Sequence, residues 1–258
     1  MITKTMRSIG GIGIAAIGFA IAASPALASN TLTTLASFHG TNGAGPFAGL
    51  TLSGGTLYGT TSGGGAYGSP NGDGTVFSVP ITGGTPNVLA SFNYTNGGRP
   101  YGGLTLSGDM LYGTTFGGGA NGDGTVFSVS VSGGTPTVLA SFHGTNGEYP
   151  NAGLTLSGGT LYGATGSGGA NNDGTVFSVP LSGGTPTVLA SFDGTNGARP
   201  SGGLTLSGGT LYGTTSEGGA NNEGTVFEIA IPEPASWALL AVSAAAGLLL
   251  RRHRCTKV

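Results

Sequence analysis

The sequence contains almost no cysteine, little charge and hardly any basic residues in its central part. Cys255 is the single cysteine among 258 residues, so no intramolecular disulfide can form and no cysteine-based metal site is credible. Charged residues make up only 7% of the chain. The segment between residues 29 and 231 contains two basic residues, Arg99 and Arg199, and nine acidic ones. Its formal net charge is therefore −7. Such a body cannot neutralise a run of phosphates, so nucleic acid is not an expected partner.

Glycine is abundant instead, with 55 residues. That bias is typical of low-complexity chains, but Val, Leu, Phe and Tyr recur at fixed places among the glycines, which is compatible with a patterned core. Because both ends resemble processing signals, the part that must fold has about 200 residues, the size of one domain.

The first 28 residues are typical of a secretory signal peptide. Lys4 and Arg7 precede an apolar run over residues 9–23, and Ala26-Leu27-Ala28 forms a small-residue cleavage site for signal peptidase. The alternative is an uncleaved anchor helix, although the apolar run is shorter than the roughly 20 residues a spanning helix needs.

The last 27 residues, 232–258, have the order of a sorting signal. Pro232-Glu233-Pro234 precedes an apolar run over residues 235–250, which predicts a transmembrane helix, and the basic residues Arg251, Arg252 and Arg254 follow as a cytoplasmic stop. This order resembles the PEP-CTERM sorting signal of Gram-negative bacteria. The resemblance implies recognition by the membrane enzyme exosortase, removal of the tail, and release or attachment at the cell surface, often alongside exopolysaccharide production. A plain C-terminal membrane anchor is the alternative.

Residues 29–231 consist of four repeats. Their Val-Phe pairs end at Phe77, Phe127, Phe177 and Phe227, at a constant step of 50 residues. Each complete unit contains four short runs in which apolar and polar side chains alternate, and we name these runs strands A, B, C and D. In the second unit they cover residues 103–106, 110–115, 125–131 and 137–142. Glycine, asparagine and proline separate the runs, as turns require.

Four strands in about 50 residues predict an all-β fold, a four-bladed β-propeller. The segment Leu-Tyr-Gly-Thr-Thr-x-Gly-Gly resembles the second strand of kelch repeats, although the outer-strand tryptophan of kelch is absent. The body as a whole is similar to the bacterial GloVer tandem repeat, which occurs with interchangeable C-terminal anchors, PEP-CTERM among them. That resemblance implies an architecture and no particular activity.

The two ends of the body predict how the propeller closes. Residues 32–38 form a D strand without a preceding blade, whereas the last unit, residues 203–231, supplies only A, B and C. Pairing the first strand into the last blade would close a four-bladed ring. The alternatives are an open repeat stack, a solenoid, or two chains that together make eight blades.

In a propeller the D-to-A and B-to-C loops share one face, and most variation among the four copies falls in these loops. One equivalent position holds His39, Asn93, His143 and Asp193, and two others carry the remaining candidate side chains. The candidates for ligand binding are Phe47, Arg99, Tyr101, Tyr149, Asp193 and Arg199. The alternative is that exposed loops vary freely without binding anything.

No cofactor is expected, although calcium is an alternative. The B-to-C loops each carry one acidic residue, namely Asp73, Asp123, Asp173 and Glu223. Calcium needs six to eight oxygens, so a turn in which Asp or Asn bonds its own backbone explains these residues better. His39 and His143 lie in alternate units, which favours solvated loop residues over a shared metal.

No catalytic constellation is present, since no serine lies in a nucleophile elbow with a recurring histidine and carboxylate. We therefore expect an exported non-enzyme at the cell surface or in the extracellular matrix, anchored transiently or permanently by the C-terminal helix. A scaffold or adhesion role in exopolysaccharide is the first hypothesis. The alternative is a carbohydrate-binding module in which aromatic loop residues stack on sugar rings while Arg99, Arg199 and Asp193 bond hydroxyl or uronate groups. A polysaccharide-active enzyme is a third.

Overall fold

The structure, a computed structural model, describes residues 31–67 and 72–231. The chain divides into two units, Met1–Thr33 and Thr34–Val258, and every strand of the fold belongs to the second. The predicted signal peptide, the Pro232-Glu233-Pro234 motif, the helix over 235–250 and the basic tail lie outside the described residues. Within the described ranges, no helix is long and apolar enough to cross a membrane.

The fold consists of four antiparallel sheets, each of four strands. The first contains β1 (Thr51–Ser53), β2 (Thr56–Thr61), β3 (Thr75–Pro80) and β4 (Asn87–Ser91). The second contains β5 (Thr105–Ser107), β6 (Met110–Thr115), β7 (Thr125–Ser130) and β8 (Thr137–Ser141). The third contains β9 (Thr155–Ser157), β10 (Thr160–Thr165), β11 (Thr175–Pro180) and β12 (Thr187–Ser191). The fourth contains β13 (Ala198–Pro200), β14 (Thr205–Ser207), β15 (Thr210–Glu217) and β16 (Thr225–Ala230). Two 3-10 turns, Gly40–Asn42 and Gly144–Asn146, lie in loops.

The predicted all-β class and the order of strands within each unit are confirmed. In the first three sheets A, B, C and D pair in chain order. The B strand of the second unit has the predicted bounds, Met110–Thr115, whereas its A strand begins two residues later than predicted, at Thr105. The register between C and D shifts at the Val-Phe pair in each of these sheets, as at Val126/Phe127.

A glycine in the middle of every B strand accommodates an aromatic ring from strand C. Gly113 is paired with Phe127, and a Cβ atom at Gly113 would lie 2.7 Å from Cζ of that ring. Phe127 is fully buried, so its ring has no room to move aside. This explains the glycine of the repeated Leu-Tyr-Gly, which lies in a strand and not in a turn.

The hydrophobic core lies between consecutive sheets. Each interface joins the D-strand phenylalanine of one sheet to the C-strand phenylalanine of the next, edge to face, with ring centroids 4.8–5.0 Å apart. Leucines of the next sheet complete each cluster, as Leu104 and Leu111 do beside Phe92. Three such clusters connect the four sheets.

The predicted closure of the ring by the N-terminal strand is wrong. Among the described residues β16 pairs with β15 alone, and residues 34–38 join no sheet. Val226 of β16 is 81% exposed, whereas its three equivalents in the other sheets are fully buried. The fourth member of the last sheet is β13, from the preceding loop, and it pairs on the far side of β15. The packing of consecutive sheets on one another therefore does not bring residues 34–38 beside β16.

Filling the glycine pocket should destabilise the protein. We expect Gly113→Ala to lower the free energy of unfolding by about 1–3 kcal/mol, because the added methyl group overlaps the buried Phe127 ring. The matched control is Gly49→Ala, where an added Cβ meets nothing within 4 Å. Urea unfolding followed by circular dichroism measures both variants. Equal midpoints for the two would contradict the close packing at Gly113.

Candidate functional surface

The D-to-A and B-to-C loops lie together, as predicted. Each D-to-A loop bridges to the B-to-C loop of the following sheet, at Ala44↔Gly63, Gly98↔Gly117 and Glu148↔Ser167. Before the fourth sheet this bridge lengthens into β13, which pairs with the end of β15. The loop also reaches back to the preceding sheet, since the N–H of Tyr149 donates to the carbonyl of Asp123 at 2.9 Å. Each loop is therefore held between two sheets.

Paired threonines fix the start of every B-to-C loop. In the second sheet the hydroxyls of Thr115 and Thr125 lie 2.8 Å apart, and the Thr115 hydroxyl donates to the carbonyl of Gly117 at 2.9 Å. The N–H of Thr125 donates to the same Thr115 hydroxyl. Both residues are fully buried, and hydrogen-bonded buried hydroxyls hold one geometry. The equivalent pair is present in all four sheets.

Four aromatic side chains from these loops form one continuous row across the first three sheets. Phe47 contacts Tyr101 with ring centroids 5.8 Å apart, and Tyr101 contacts Phe116 edge to face at 5.6 Å. Phe116 and Tyr149 are stacked, with centroids 4.8 Å apart and planes 18° apart. Phe47 is 72% exposed, and the other three are half-buried. The row is therefore an accessible aromatic surface.

A shallow cavity of about 270 Å³ continues the row towards the fourth sheet. Its lining includes Phe116 and Tyr149 from the row, and Arg199 and Ser216 from the fourth sheet and the loop before it. The guanidinium of Arg199 donates to Glu217 at 2.8 Å. Asn151 also lines the cavity, and its buried Oδ1 has no hydrogen-bond partner among the described residues. A buried acceptor of this kind is costly unless it receives a hydrogen bond.

The candidates from the sequence therefore divide into two groups. Phe47, Tyr101, Tyr149 and Arg199 come together in the row and its cavity. Asp193 does not join them, because its carboxylate accepts hydrogen bonds from the Thr195 hydroxyl at 2.7 Å and the Asn196 N–H at 3.0 Å. These bonds hold the pKa of Asp193 below its usual value of 3.8, with the Thr195 hydroxyl as the largest cause. Asp193 thus shapes its own loop, as Asn93 does in an earlier copy.

Arg99 contributes its backbone to this surface. Arg99 has a positive φ of 55°. Its N–H donates to the carbonyl of Asp73, and its carbonyl accepts from the N–H of Phe116. The side chain is exposed. Arg99 therefore positions Phe116 through the main chain.

The four acidic residues of the B-to-C loops, Asp73, Asp123, Asp173 and Glu223, form no common site. Over residues 31–67 and 72–231, no three His, Cys, Asp or Glu side chains are grouped closely enough to hold a metal ion. The backbone carbonyls of Asp73, Asp123 and Asp173 accept from the next loop. In two copies the asparagine before the acidic residue makes the turn hydrogen bond. Asn172 Oδ1 accepts from the N–H of Gly168, and Asn222 Oδ1 accepts from the N–H of Gly218. His39 and His143 are exposed loop residues.

Sequence reasoning missed Phe116, Asn151 and Ser216 as members of this surface. Phe116 occupies a position where the other copies have Ser62, Gly166 and Ser216, and this single large residue was the available signal. Asn151 occupies the position that holds Phe47 and Tyr101 in earlier copies, but nothing in its spacing indicates a buried amide oxygen. Only the stacking of the sheets brings these residues to Tyr149.

The repeats identify the family to which the chain belongs. The family model described as the Gloeobacter/Verrucomicrobia repeat matches residues 66–247, well over half of the chain. The chain belongs to this repeat family. Membership agrees with the GloVer resemblance of the four units and describes their architecture. No curated protein matches the chain.

Two solved structures are similar to this repeat protein at low identity. A protein described as TolB from Agrobacterium tumefaciens is 13% identical, with a TM-score of 0.41, over 70% of this chain and 72% of that one. A gluconolactonase from Xanthomonas campestris is 15% identical, with a TM-score of 0.43, over 71% of this chain and 56% of that one. At these TM-scores neither likeness carries an argument about function.

The hydrogen bonds of Asp193 predict a measurable titration. Because its folded pKa is lowered, these bonds stabilise the loop at neutral pH and are lost as the pH falls through the lowered value. We expect Thr195→Ala to raise the pKa of Asp193 towards 3.8, measured by NMR titration of the carboxyl carbon. Thr145→Ala is the control, because it is the equivalent change in the preceding repeat, where His143 stands in place of Asp193. It should leave the pKa of Asp193 unchanged. An unchanged pKa in Thr195→Ala would contradict the role of this hydroxyl.

Proposed function

We propose that this β-propeller-type repeat protein is an exported, non-enzymatic protein that binds glycans through the aromatic row Phe47, Tyr101, Phe116 and Tyr149. The observation that carries the proposal is the row itself, four rings in continuous contact with Phe47 at one end 72% exposed. Binding to exopolysaccharide would give the protein the scaffold or adhesion role expected from its sequence.

Aromatic rings suit sugars because the apolar C–H face of a pyranose packs against a flat ring at little conformational cost. Exposed aromatic side chains in contact are otherwise unfavourable on a protein surface, since they leave apolar area in water. The adjoining cavity supplies polar groups for ring hydroxyls, namely the Asn151 amide, the Arg199 guanidinium and the Ser216 hydroxyl. An extended chain of sugars lying along the row would use both features.

The charge of the surface favours neutral sugars over strongly acidic ones. Arg199 is already paired with Glu217, and both groups are exposed. The body between residues 29 and 231 has a formal net charge of −7, which repels polyanions at low ionic strength. We therefore propose a neutral or weakly charged polysaccharide as the ligand.

Truncating the stacked pair should weaken binding. We expect Phe116→Ala and Tyr149→Ala each to reduce the affinity for a neutral hexasaccharide about tenfold or more, because central aromatic residues of a binding surface contribute about 1–2 kcal/mol or more. The measurement is titration calorimetry with hexamers of β-1,4-glucose, β-1,3-glucose and α-1,6-mannose, followed by oligo-uronate as the charged comparison.

The matched control is Tyr67→Ala, because Tyr67 is 51% exposed and lies outside the aromatic row. Its removal should leave the affinity unchanged. Equal losses in all three variants, or undiminished binding after Phe116→Ala and Tyr149→Ala, would contradict the proposed surface. Turnover of any of these sugars by the wild-type protein would contradict the non-enzymatic assignment.

We also propose that the chain is exported by its first 28 residues and sorted by exosortase through Pro232, Glu233 and Pro234. The support is the order of signals in the sequence, with the repeats between an export signal and a Pro-Glu-Pro motif, apolar run and basic tail. Glycan binding and surface sorting fit together, since a sorted protein meets the extracellular matrix.

Sorting predicts a defined change in mass. In a host with exosortase we expect the protein to lack residues 1–28 and the segment after the Pro-Glu-Pro region, and in a host without exosortase to retain that segment. Intact-mass spectrometry of membrane and surface fractions measures both. In the host with exosortase, a Glu233→Ala variant should keep the segment after the Pro-Glu-Pro region, as the wild type does in the host without exosortase. A wild-type chain still ending at Val258 would overturn exosortase processing and favour a plain anchor.

A further inference from the structure

In the part of the chain that the structure describes, no other sheet covers the back of the fourth sheet. Val226 and Tyr212 are 81% and 39% exposed. Their equivalents in the second sheet, Val126 and Tyr112, are 0% and 8% exposed because the third sheet covers them. The fourth sheet therefore presents to solvent the same side chains that the inner sheets bury.

The front of the first sheet is the complementary surface. Leu50 is 55% exposed, whereas its equivalents Leu104, Leu154 and Leu204 are each 7% exposed. Leu52 and Ile81 beside it are 62% and 53% exposed. In the later sheets the preceding sheet covers these positions. The molecule thus ends in two halves of the interface that it forms three times internally.

Residues 34–38 occupy the position of a D strand that lacks its own sheet. Phe38 contacts Phe77 of the first sheet edge to face at 4.8 Å, the geometry of the three internal phenylalanine pairs. The carbonyl of Leu35 accepts from the N–H of Gly84, as that of Leu89 accepts from Gly134. The sequence Leu-Ala-Ser-Phe is the same in residues 35–38 and 89–92. The segment therefore packs on the first sheet, and among residues 31–67 and 72–231 no C strand pairs with it.

We propose that a second copy of this chain docks head to tail, so that its residues 34–38 complete the fourth sheet of the first copy as the strand beside β16. Its first sheet then covers Val226 and Tyr212. The contact continues an interface already present between the sheets of one chain, and unpaired strand edges readily accept such a strand.

The internal repeats specify the contacts of this added strand. In the second sheet the Ser141 hydroxyl accepts from the N–H of Ala120, and the N–H of Phe142 donates to the carbonyl of Gly124. The Asn121 amide donates to the carbonyl of Phe142. The fourth sheet carries the corresponding Ala220, Asn221 and Gly224, and residues 34–38 carry the corresponding Ser37 and Phe38. The two ends are thus matched in hydrogen bonding as well as in apolar area.

The single chain does not make this contact with itself. The three internal interfaces share the same phenylalanine contact, and both end surfaces are exposed. A heterologous contact between copies closes into a ring if the rotations sum to a full turn, and otherwise it continues as a filament. A ring buries every end surface, and a filament buries all of them except one at each tip.

Disulfide trapping tests the pairing. By analogy with Val126↔Ala140, Val226 of one copy lies opposite Ala36 of the next, and opposed residues on neighbouring strands are close enough for a disulfide. In full-length protein carrying Cys255→Ser, we expect Ala36→Cys and Val226→Cys chains, mixed and oxidised, to form a cross-link of twice the chain mass. Neither variant alone should form it.

Thr137→Cys mixed with Val226→Cys is the control, because Thr137 is exposed on an internal sheet and should not cross-link. A second measurement uses Val226→Arg in sedimentation equilibrium of the detergent-solubilised full chain. Since Val226 is exposed in the single chain, we expect an unchanged circular dichroism spectrum and at least a tenfold weaker self-association. An Ala36→Cys/Val226→Cys double variant that forms only an internal cross-link, or a wild-type chain that stays monomeric, would overturn the proposal.

Discussion

The structure depends on one repeated contact, the edge-to-face packing of a D-strand phenylalanine against the C-strand phenylalanine of the next sheet. No disulfide or metal cluster among the described residues supplements it. The contact requires a glycine such as Gly113 opposite the ring, since any side chain there would fill the space of Phe127. This requirement explains why the chain repeats Leu-Tyr-Gly and Val-Phe with so little change, while the loops differ between copies.

The candidate surface follows from that stacking. Because equivalent loops of consecutive sheets are brought side by side, residues about 50 positions apart in the chain become neighbours, as Phe47 and Tyr101 do. The buried threonine pairs hold each loop at the same place relative to its sheet. A uniform scaffold thus carries a non-uniform row of side chains, and the differences between copies can determine what is bound without altering the packing below.

Sequence reasoning located the strands well and the surface only in part. Alternation and turn residues are local, so the bounds of β6 followed directly from the pattern. The role of Asp193 did not follow, because a variable loop carboxylate looks the same whether it bonds a ligand or Thr195. Phe116 was overlooked because it lies in a different loop from Tyr149, and the stacking of the two rings depends on two sheets meeting at a particular angle.

The sequence by itself determined the repeat, its four strands, the family and the positions of the buried phenylalanines, because periodicity and glycine placement act over a few residues. The tertiary structure alone decided which loop side chains meet and whether the ends join. The open edge of β16 shows the difference. The complementary strand at residues 34–38 is visible in the sequence, but whether it reaches β16 depends on how the side chains of distant residues pack between the sheets, and no linear pattern encodes that packing.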